Sequence, residues 1–319
     1  MSHAWKNQKE FYNDTLRYVA DRHNGTVTSF KTPWKKFNDA GIDGIEWNNI
    51  VVIGGRSGTG KTLIKDQIIR ESQANNPNVK FNVLEFQLEM VARASKVREF
   101  SAVLGKSYKY ICSTAGNHIS KQDFDTLVKY SKDKINEDFV LDIVETPPTV
   151  KEFEKIVNDY METNKTDEGY VKTIITVDHS YLIKTTGSQS KLDMLYDFGE
   201  VLTKLKKKYP IIFIILSQLN RSVESPERNE NGKYGNYINA TDIFGSDSLY
   251  QQADLVIGVN RPAQKNITLY GPDKYIIDSD SILVFHFLKC RNGDTRMSFF
   301  NAEFEKMKIT EMPTPNTKQ

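Results

Sequence analysis

Cysteine is almost missing from this sequence: Cys112 and Cys290 are the only two in 319 residues. So few, so far apart, they make neither a disulfide framework nor a metal signature, and they suit a reducing cytoplasm. Long apolar runs are missing as well. The N-terminus, MSHAWKNQKE, has no apolar signal region, and no stretch approaches membrane-spanning length. A cytoplasmic protein without membrane contact is therefore expected. Excess charge is small: 43 Lys and Arg against 41 Asp and Glu leave +2, too little to argue for any partner. No internal repeat or low-complexity segment breaks the chain, whose length allows one large domain or two small ones.

Against these absences stands one dense motif, Gly55-Arg56-Ser57-Gly58-Thr59-Gly60-Lys61-Thr62, which fits the P-loop pattern. Its context agrees. Ile50 to Ile53 reads as a short buried strand, and Leu63 to Glu71 as a helix with apolar Leu63, Ile64, Ile68 and Ile69. Glycines let backbone N–H groups close around phosphate oxygens without Cβ clashes, and the helix turns its positive end to the same anion. Lys61 can reach the β- and γ-phosphates, and the Thr62 hydroxyl can ligate Mg²⁺. ATP with Mg²⁺ is the expected cofactor pair.

Strands alternate with helices along the rest. Phe81 to Phe86 is a strand ending in Gln87-Leu88-Glu89-Met90, which places a carboxylate beside the P-loop strand, where it can activate water. Helices follow over 90–104 and 121–136, a strand over 139–144, and a helix over 149–161 opened by Thr149 as N-cap. Val171 to Val177 is a β-forming run closed by Asp178, placed to hold a Mg²⁺ water shell opposite Thr62; His179 is assigned to packing or surface. A helix through Leu192 to Leu205 ends in Lys206-Lys207-Lys208, read as a solvated helix end, and Ile211 to Leu216 is a strand running into Gln218. The pattern predicts an α/β fold with a mostly parallel, doubly wound sheet. Ligands bind such sheets at the carboxyl ends of the strands, where Glu89, Asp178 and Gln218 fall. Residues 222–247 form a long polar stretch, either functional or a surface loop, in which Arg228, Lys233, Tyr234 and Tyr237 can meet phosphates or bases. Strands are expected over 254–259 and 281–288, and a single closing strand over 297–309. At the front, residues 4–21 read as a helix with Trp5, Tyr12, Leu16 and Val19 on one face, which either folds back on its own domain or docks on a neighbour.

Taken together, these segments resemble the ATPase domain of DnaB-like replicative helicases, a RecA-like P-loop fold. The resemblance runs from Thr32-Pro33-Trp34 and Arg56 through Phe86-Gln87-Leu88-Glu89-Met90 and Asp178-His179-Ser180-Tyr181-Leu182. It continues through Ser217-Gln218-Leu219-Asn220-Arg221, Gln251-Gln252-Ala253-Asp254 and Lys289-Cys290-Arg291-Asn292-Gly293. It implies a domain division: an arm with a linker-type helix over 1–27, a RecA-like ATPase domain over 28–310 and a disordered tail over 311–319. It implies that Glu89 is the general base, that Gln218 senses the γ-phosphate, and that Lys289 and Arg291 reach the nucleotide of the next subunit. It further implies a hexameric ring that unwinds duplex DNA by moving on single-stranded DNA, with a primase or other replisome proteins as partners. Where the family's DNA loop has Arg-Glu-x-Gly, this chain has Phe244-Gly245-Ser246-Asp247, which makes Arg221, Arg228 or Lys233 the candidates for phosphate contact. A RecA-like recombinase or mediator, and a nucleotide-dependent helicase accessory protein, stand as alternatives.

Overall fold

The computed structural model describes residues 7–115, 118–137, 139–228, 235–243 and 246–318. Helices are α1 (Gln8–His23), α2 (Lys35–Asn38), α3 (Lys61–Arg70), α4 (Ser72–Asn75), α5 (Ala92–Leu104), α6 (Tyr108–Cys112), α7 (Lys121–Ile135), α8 (Val150–Thr163), α9 (Lys191–Lys208) and α10 (Ser246–Gln252). Strands are β1 (Ile50–Gly55), β2 (Phe81–Gln87), β3 (Leu141–Val144), β4 (Lys172–Asp178), β5 (Ile211–Gln218), β6 (Leu255–Asn260), β7 (Leu269–Tyr270), β8 (Tyr275–Ile276), β9 (Ile282–Cys290), β10 (Arg296–Glu303) and β11 (Lys308–Glu311).

One nine-stranded sheet runs in the order β11-β10-β9-β6-β1-β5-β4-β2-β3, and β7 pairs with β8 separately. From β6 to β3 all neighbours are parallel; β9, β10 and β11 add an antiparallel flank. The parallel strands are apolar on both faces because helices cover both. Val51 and Ile53 join one core with Ile212, Ile214 and α3's Ile64 and Ile68; Ile50 and Val52 join the other with Ile211, Phe213 and α9's Phe198 and Leu202. Helix starts follow local chemistry. Asn7, Thr149 and Ser190 each close a capping box with the acidic residue three positions on, as Thr149 was expected to cap α8.

Three expectations need correction. The single closing strand over 297–309 is a hairpin: β10 and β11 pair antiparallel, turned by a 3₁₀ segment at Phe304–Lys306 and by Met307 at φ +50°. The tail from Glu311 is held, because it supplies backbone partners to exposed edges. Glu311 pairs with Phe300, the Ile276 amide donates to the Asn316 carbonyl, and the Lys318 amide donates to Lys274. Lys206 is not simply solvated: its ammonium pairs with the buried carboxylate of Asp254. Trp5 lies outside the described residues; the rest of its predicted face, Tyr12, Leu16 and Val19, is exposed on α1, none of whose described residues is buried.

His286, on β9, is 2% exposed and meets the Tyr270 hydroxyl at 2.7 Å. Burial pushes its imidazole down to about 3. Between that value and the ordinary 6.5 the unfolded chain binds a proton that the folded chain refuses, so stability must fall as pH drops through this window. The slope from this one group approaches about 1.4 kcal/mol per pH unit. His286→Gln keeps a partner for Tyr270 but has no proton to take up. Urea midpoints measured from about pH 7 down to about pH 4 should therefore fall less steeply in the variant than in the wild type.

Candidate functional site

The carboxyl ends of β1, β5, β4 and β2 converge because their registers are fixed. Gly55 pairs with Gln218, and Gln87 with Asp178, so Lys61 to Thr62, Glu89, Asp178 and Gln218 all gather at one sheet edge. All of these but Asp178 border a cleft of about 730 Å³ lined by Ser57, Gly58, Gly60, Lys61, Thr62, Glu89, His179 and Gln218. The loop from Gly55 to α3 closes on itself through the Thr59 hydroxyl, which donates to the Arg56 carbonyl at 2.8 Å. Glycine is required at Gly60, where φ is +92° and a Cβ would press on the Phe304 ring at 3.2 Å. At Gly55 a Cβ would lie 2.4 Å from the Thr59 hydroxyl. Phe304, in the turn of the β10–β11 hairpin, thus closes the cleft over the P-loop, with the Arg261 guanidinium 4.1 Å from its ring centroid.

Lys61 donates to the carbonyls of Gly55 at 2.7 Å and Arg56 at 3.0 Å, leaving one of its ammonium hydrogens for an incoming anion. Burial pushes it down to about 8, although Asp178 and Glu89 oppose the shift from a distance. Among the described residues it forms no ion pair, so phosphate oxygens would supply the charge it lacks. Thr62 Oγ1 donates to Asp178 Oδ2 at 2.9 Å. A hydroxyl and a carboxylate this close fit a hard cation that keeps most of its water, as Mg²⁺ does. Glu89 is exposed in the cleft mouth, and its Oε2 lies 3.9 Å from Nε2 of His179. That same Nε2 lies 3.4 Å from Nε2 of Gln218. Burial lowers the His179 pKa, against the pull of Glu89 and Asp178.

Not every predicted site residue comes to this edge. Arg56 turns its side chain away from the cleft, donating to the Leu219 carbonyl at 3.0 Å and pairing with Glu224 at 3.1 Å. Its backbone still belongs to the loop. Lys289 and Arg291 stand at the opposite edge: Lys289 pairs with Val256, which pairs with Val52, so Arg291 is level with the start of β1. β1 alone puts Arg291 about 16 Å, and Lys289 about 10 Å, from the P-loop at ~3.3 Å per residue. Lys289 donates to the carbonyls of Tyr250 and Gln251 at the end of α10, at 2.8 and 3.0 Å. Arg291, half exposed, meets Asp254 Oδ1 at 3.3 Å. Asp254 also accepts from the Ile50 amide at 2.8 Å, so it ties Arg291 to the first residue of β1. Of the candidate DNA contacts, Arg221 is exposed, Arg228 is used inside the loop in a two-pronged pair with Asp242, and Lys233 lies outside the described residues, as do Tyr234 and Phe244.

Sequence reasoning missed two features. His179, assigned to packing or surface, is in the cleft between Gln218 and Glu89; its place directly after Asp178 at a strand end was the available signal. Lys65, on α3, is 1% exposed and pairs with Asp66 at 2.7 Å and Glu85 at 3.0 Å. No apolar periodicity marks such a residue.

The sequence model of the DnaB-like helicase C-terminal domain matches residues 30–310. The chain belongs to that family. Two solved structures agree in fold. One, described as an ATPase domain, is 17% identical with a TM-score of 0.75, covering 94% of this chain and 98% of that one. The other, "The Structure Of A DnaB-Like Replicative Helicase And Its Interactions With Primase", is also 17% identical with a TM-score of 0.76, covering 93% of this chain and 68% of that one. Comparison with curated protein sequences gives no match. The RecA-like sheet, mostly parallel with helices on both faces, is the fold of this family. Among the described residues no helix is long and apolar enough to cross a membrane.

Two outcomes follow from the two lysines of α3. Lys61→Ala removes a charged donor aimed at the cleft and should weaken ATP binding by about 1.5–3 kcal/mol, roughly ten- to a hundredfold, in a fluorescent-nucleotide titration. Lys65→Met leaves Asp66 and Glu85 buried without their cation and should cost about 3–5 kcal/mol of stability in denaturant unfolding.

Proposed function

We propose that this chain is one subunit of a ring-shaped motor that hydrolyses ATP at subunit interfaces and moves along single-stranded DNA to unwind duplex. The observation that carries this reading is the separation of two halves of one catalytic set. Lys61, Thr62, Glu89 and Gln218 share a cleft, with Asp178 bonded to Thr62 beside it, while Lys289 and Arg291 sit at the other edge of the sheet, level with Val52 and Ile50. A cation pair so placed cannot serve its own cleft; it can serve the cleft of a neighbour stacked edge to edge. The exposed apolar face of α1, with Phe11, Tyr12, Leu16 and Val19 all more than half exposed, gives such a neighbour a second hold.

Each residue then has a task. The P-loop amides and Lys61 bind the phosphates, and Thr62 with Asp178 holds Mg²⁺, which would neutralise charge on the β- and γ-oxygens. Glu89 orients the attacking water and takes its proton. Gln218 reads the γ-phosphate at the start of the segment that runs on to exposed Arg221, the candidate for contact with the DNA backbone. Arg291, reaching from the next subunit, stabilises charge developing on the γ-phosphate; such a group is worth ~10³–10⁵ in rate.

The test is ATPase activity with and without single-stranded DNA, in wild-type protein titrated with Arg291→Ala subunits. Activity should rise with DNA and should fall more steeply than the wild-type fraction as the variant is mixed in. A strictly proportional fall would refute action between subunits. Hydrolysis indifferent to DNA would favour the accessory-protein alternative.

A further inference from the structure

His179 has the wrong surroundings for a residue that only fills space. It is 6% exposed, yet Nδ1 has no hydrogen-bond partner among the described residues. A buried histidine held for structure satisfies its ring nitrogens. Here the polar neighbours of the ring are two residues of the cleft, and both face the same atom. Nε2 lies 3.4 Å from the Gln218 amide nitrogen and 3.9 Å from Glu89 Oε2. A neutral imidazole carries one hydrogen, so Nε2 either accepts from the Gln218 amide or donates to the Glu89 carboxylate. It cannot do both.

We propose that His179 is a positioning residue that makes the orientation of Glu89 depend on the state of Gln218. The inference rests on the roles given above to those two residues. In the arrangement seen here Gln218 holds Nε2 and Glu89 stays beyond hydrogen-bond length. When the Gln218 amide turns to a γ-phosphate it releases Nε2. Glu89 then closes the gap by a shift of about 1 Å to reach ordinary hydrogen-bond length. The imidazole fixes the carboxylate only while a triphosphate is present. The three residues come from the ends of β2, β4 and β5, strands locked in adjacent registers. The joint therefore needs side-chain rotation together with a tautomer change, the ring hydrogen passing from Nδ1 to Nε2 as the Gln218 amide leaves. Gln218 also leads into exposed Arg221, so the same joint lies between the loop and the base.

The experiment is a double-mutant cycle in steady-state ATPase, with and without single-stranded DNA. It uses full-length wild type, His179→Phe, Gln218→Ala, the double variant, and His179→Gln, whose amide reaches the position of Nε2. Expected are a kcat loss of about tenfold in His179→Phe, with KM for ATP within about twofold of wild type, and a smaller kcat loss in Gln218→Ala, where Nε2 of His179 is free for Glu89 whether or not a triphosphate is bound. The double variant should be no worse than the poorer single one, and His179→Gln should recover to within about threefold of wild type. Losses that multiply in the double variant would overturn the joint. So would a His179→Gln as impaired as His179→Phe, or a KM that rises in step with the fall in kcat. Should His179→Phe melt early, His179→Asn, too short to span to Gln218, takes its place in the cycle. Failure of the underlying reading looks different. A wild type that hydrolyses no ATP removes the site itself, and with it the joint. A wild type that hydrolyses ATP but ignores DNA removes the motor, and the cycle is then read on basal turnover.

Discussion

The hydrogen bond from Thr62 Oγ1 to Asp178 Oδ2, 2.9 Å long, sets where the first turn of α3 stands against the end of β4. A P-loop is only a flexible run of glycines until its helix is pinned, and this contact pins it across the sheet edge. Behind it, Lys65 reaches from the next turn of α3 to Glu85 on β2, and Thr176 on β4 comes within 3.4 Å of the same carboxylate. The helix is thus tied to two neighbouring strands, one polar contact above the other. The position of Glu89, two residues beyond β2, follows from that. So does the distance at which Gln218, beside Gly55 in register, faces it.

The sheet also keeps apart groups that would interfere. Lys61 and Arg291 both carry positive charge, and two cations in one cleft would repel each other before an anion arrived. Placing Arg291 beyond the far end of β1 avoids this, and Asp254 holds it there together with Lys206 and the Ile50 amide. One carboxylate thereby pairs with two cations and satisfies a strand's first amide. Arg291 remains half exposed, so the pair with Asp254 is screened by solvent and costs little to exchange for a better anion.

Much of this was legible in the chain. Strand-forming runs with apolar residues on both faces announce a parallel sheet, and a glycine loop between strand and helix announces a phosphate site. The polar residues that close such strands then fall at one edge without further information. Features that depend on which helix packs on which strand were not legible. Lys65 has the composition of a surface residue and becomes a buried one because Asp66 and Glu85 come to it. Lys206 looked like the end of a solvated helix because Asp254 is 48 residues away in sequence. The hairpin of β10 and β11 hid inside an apolar run because its turn is made by Met307 in a left-handed conformation, where a glycine would have been the signal.

Lys61 and Lys65 make the contrast that separates structure from function. They lie on one helix, a single turn apart, Lys65 buried and Lys61 half-buried in the wall of the cleft. Burial works against the charge of Lys65, but Asp66 and Glu85 outweigh it and raise its pKa, so the cation is complete within the fold. Burial works against Lys61 in the same way, and among the described residues no carboxylate pairs with it, so Asp178 and Glu89 oppose the shift only from a distance and its pKa drops to about 8. A folded chain tolerates such a deficit only where it is useful, since an uncompensated buried charge is among the more expensive features a protein can carry. The anion that answers it has its geometry already prescribed: it must reach the free hydrogen of Lys61, lie at the amino end of α3, and approach the Thr62–Asp178 pair. A polyphosphate carrying a divalent cation meets all three conditions, and a single carboxylate or chloride meets at most two.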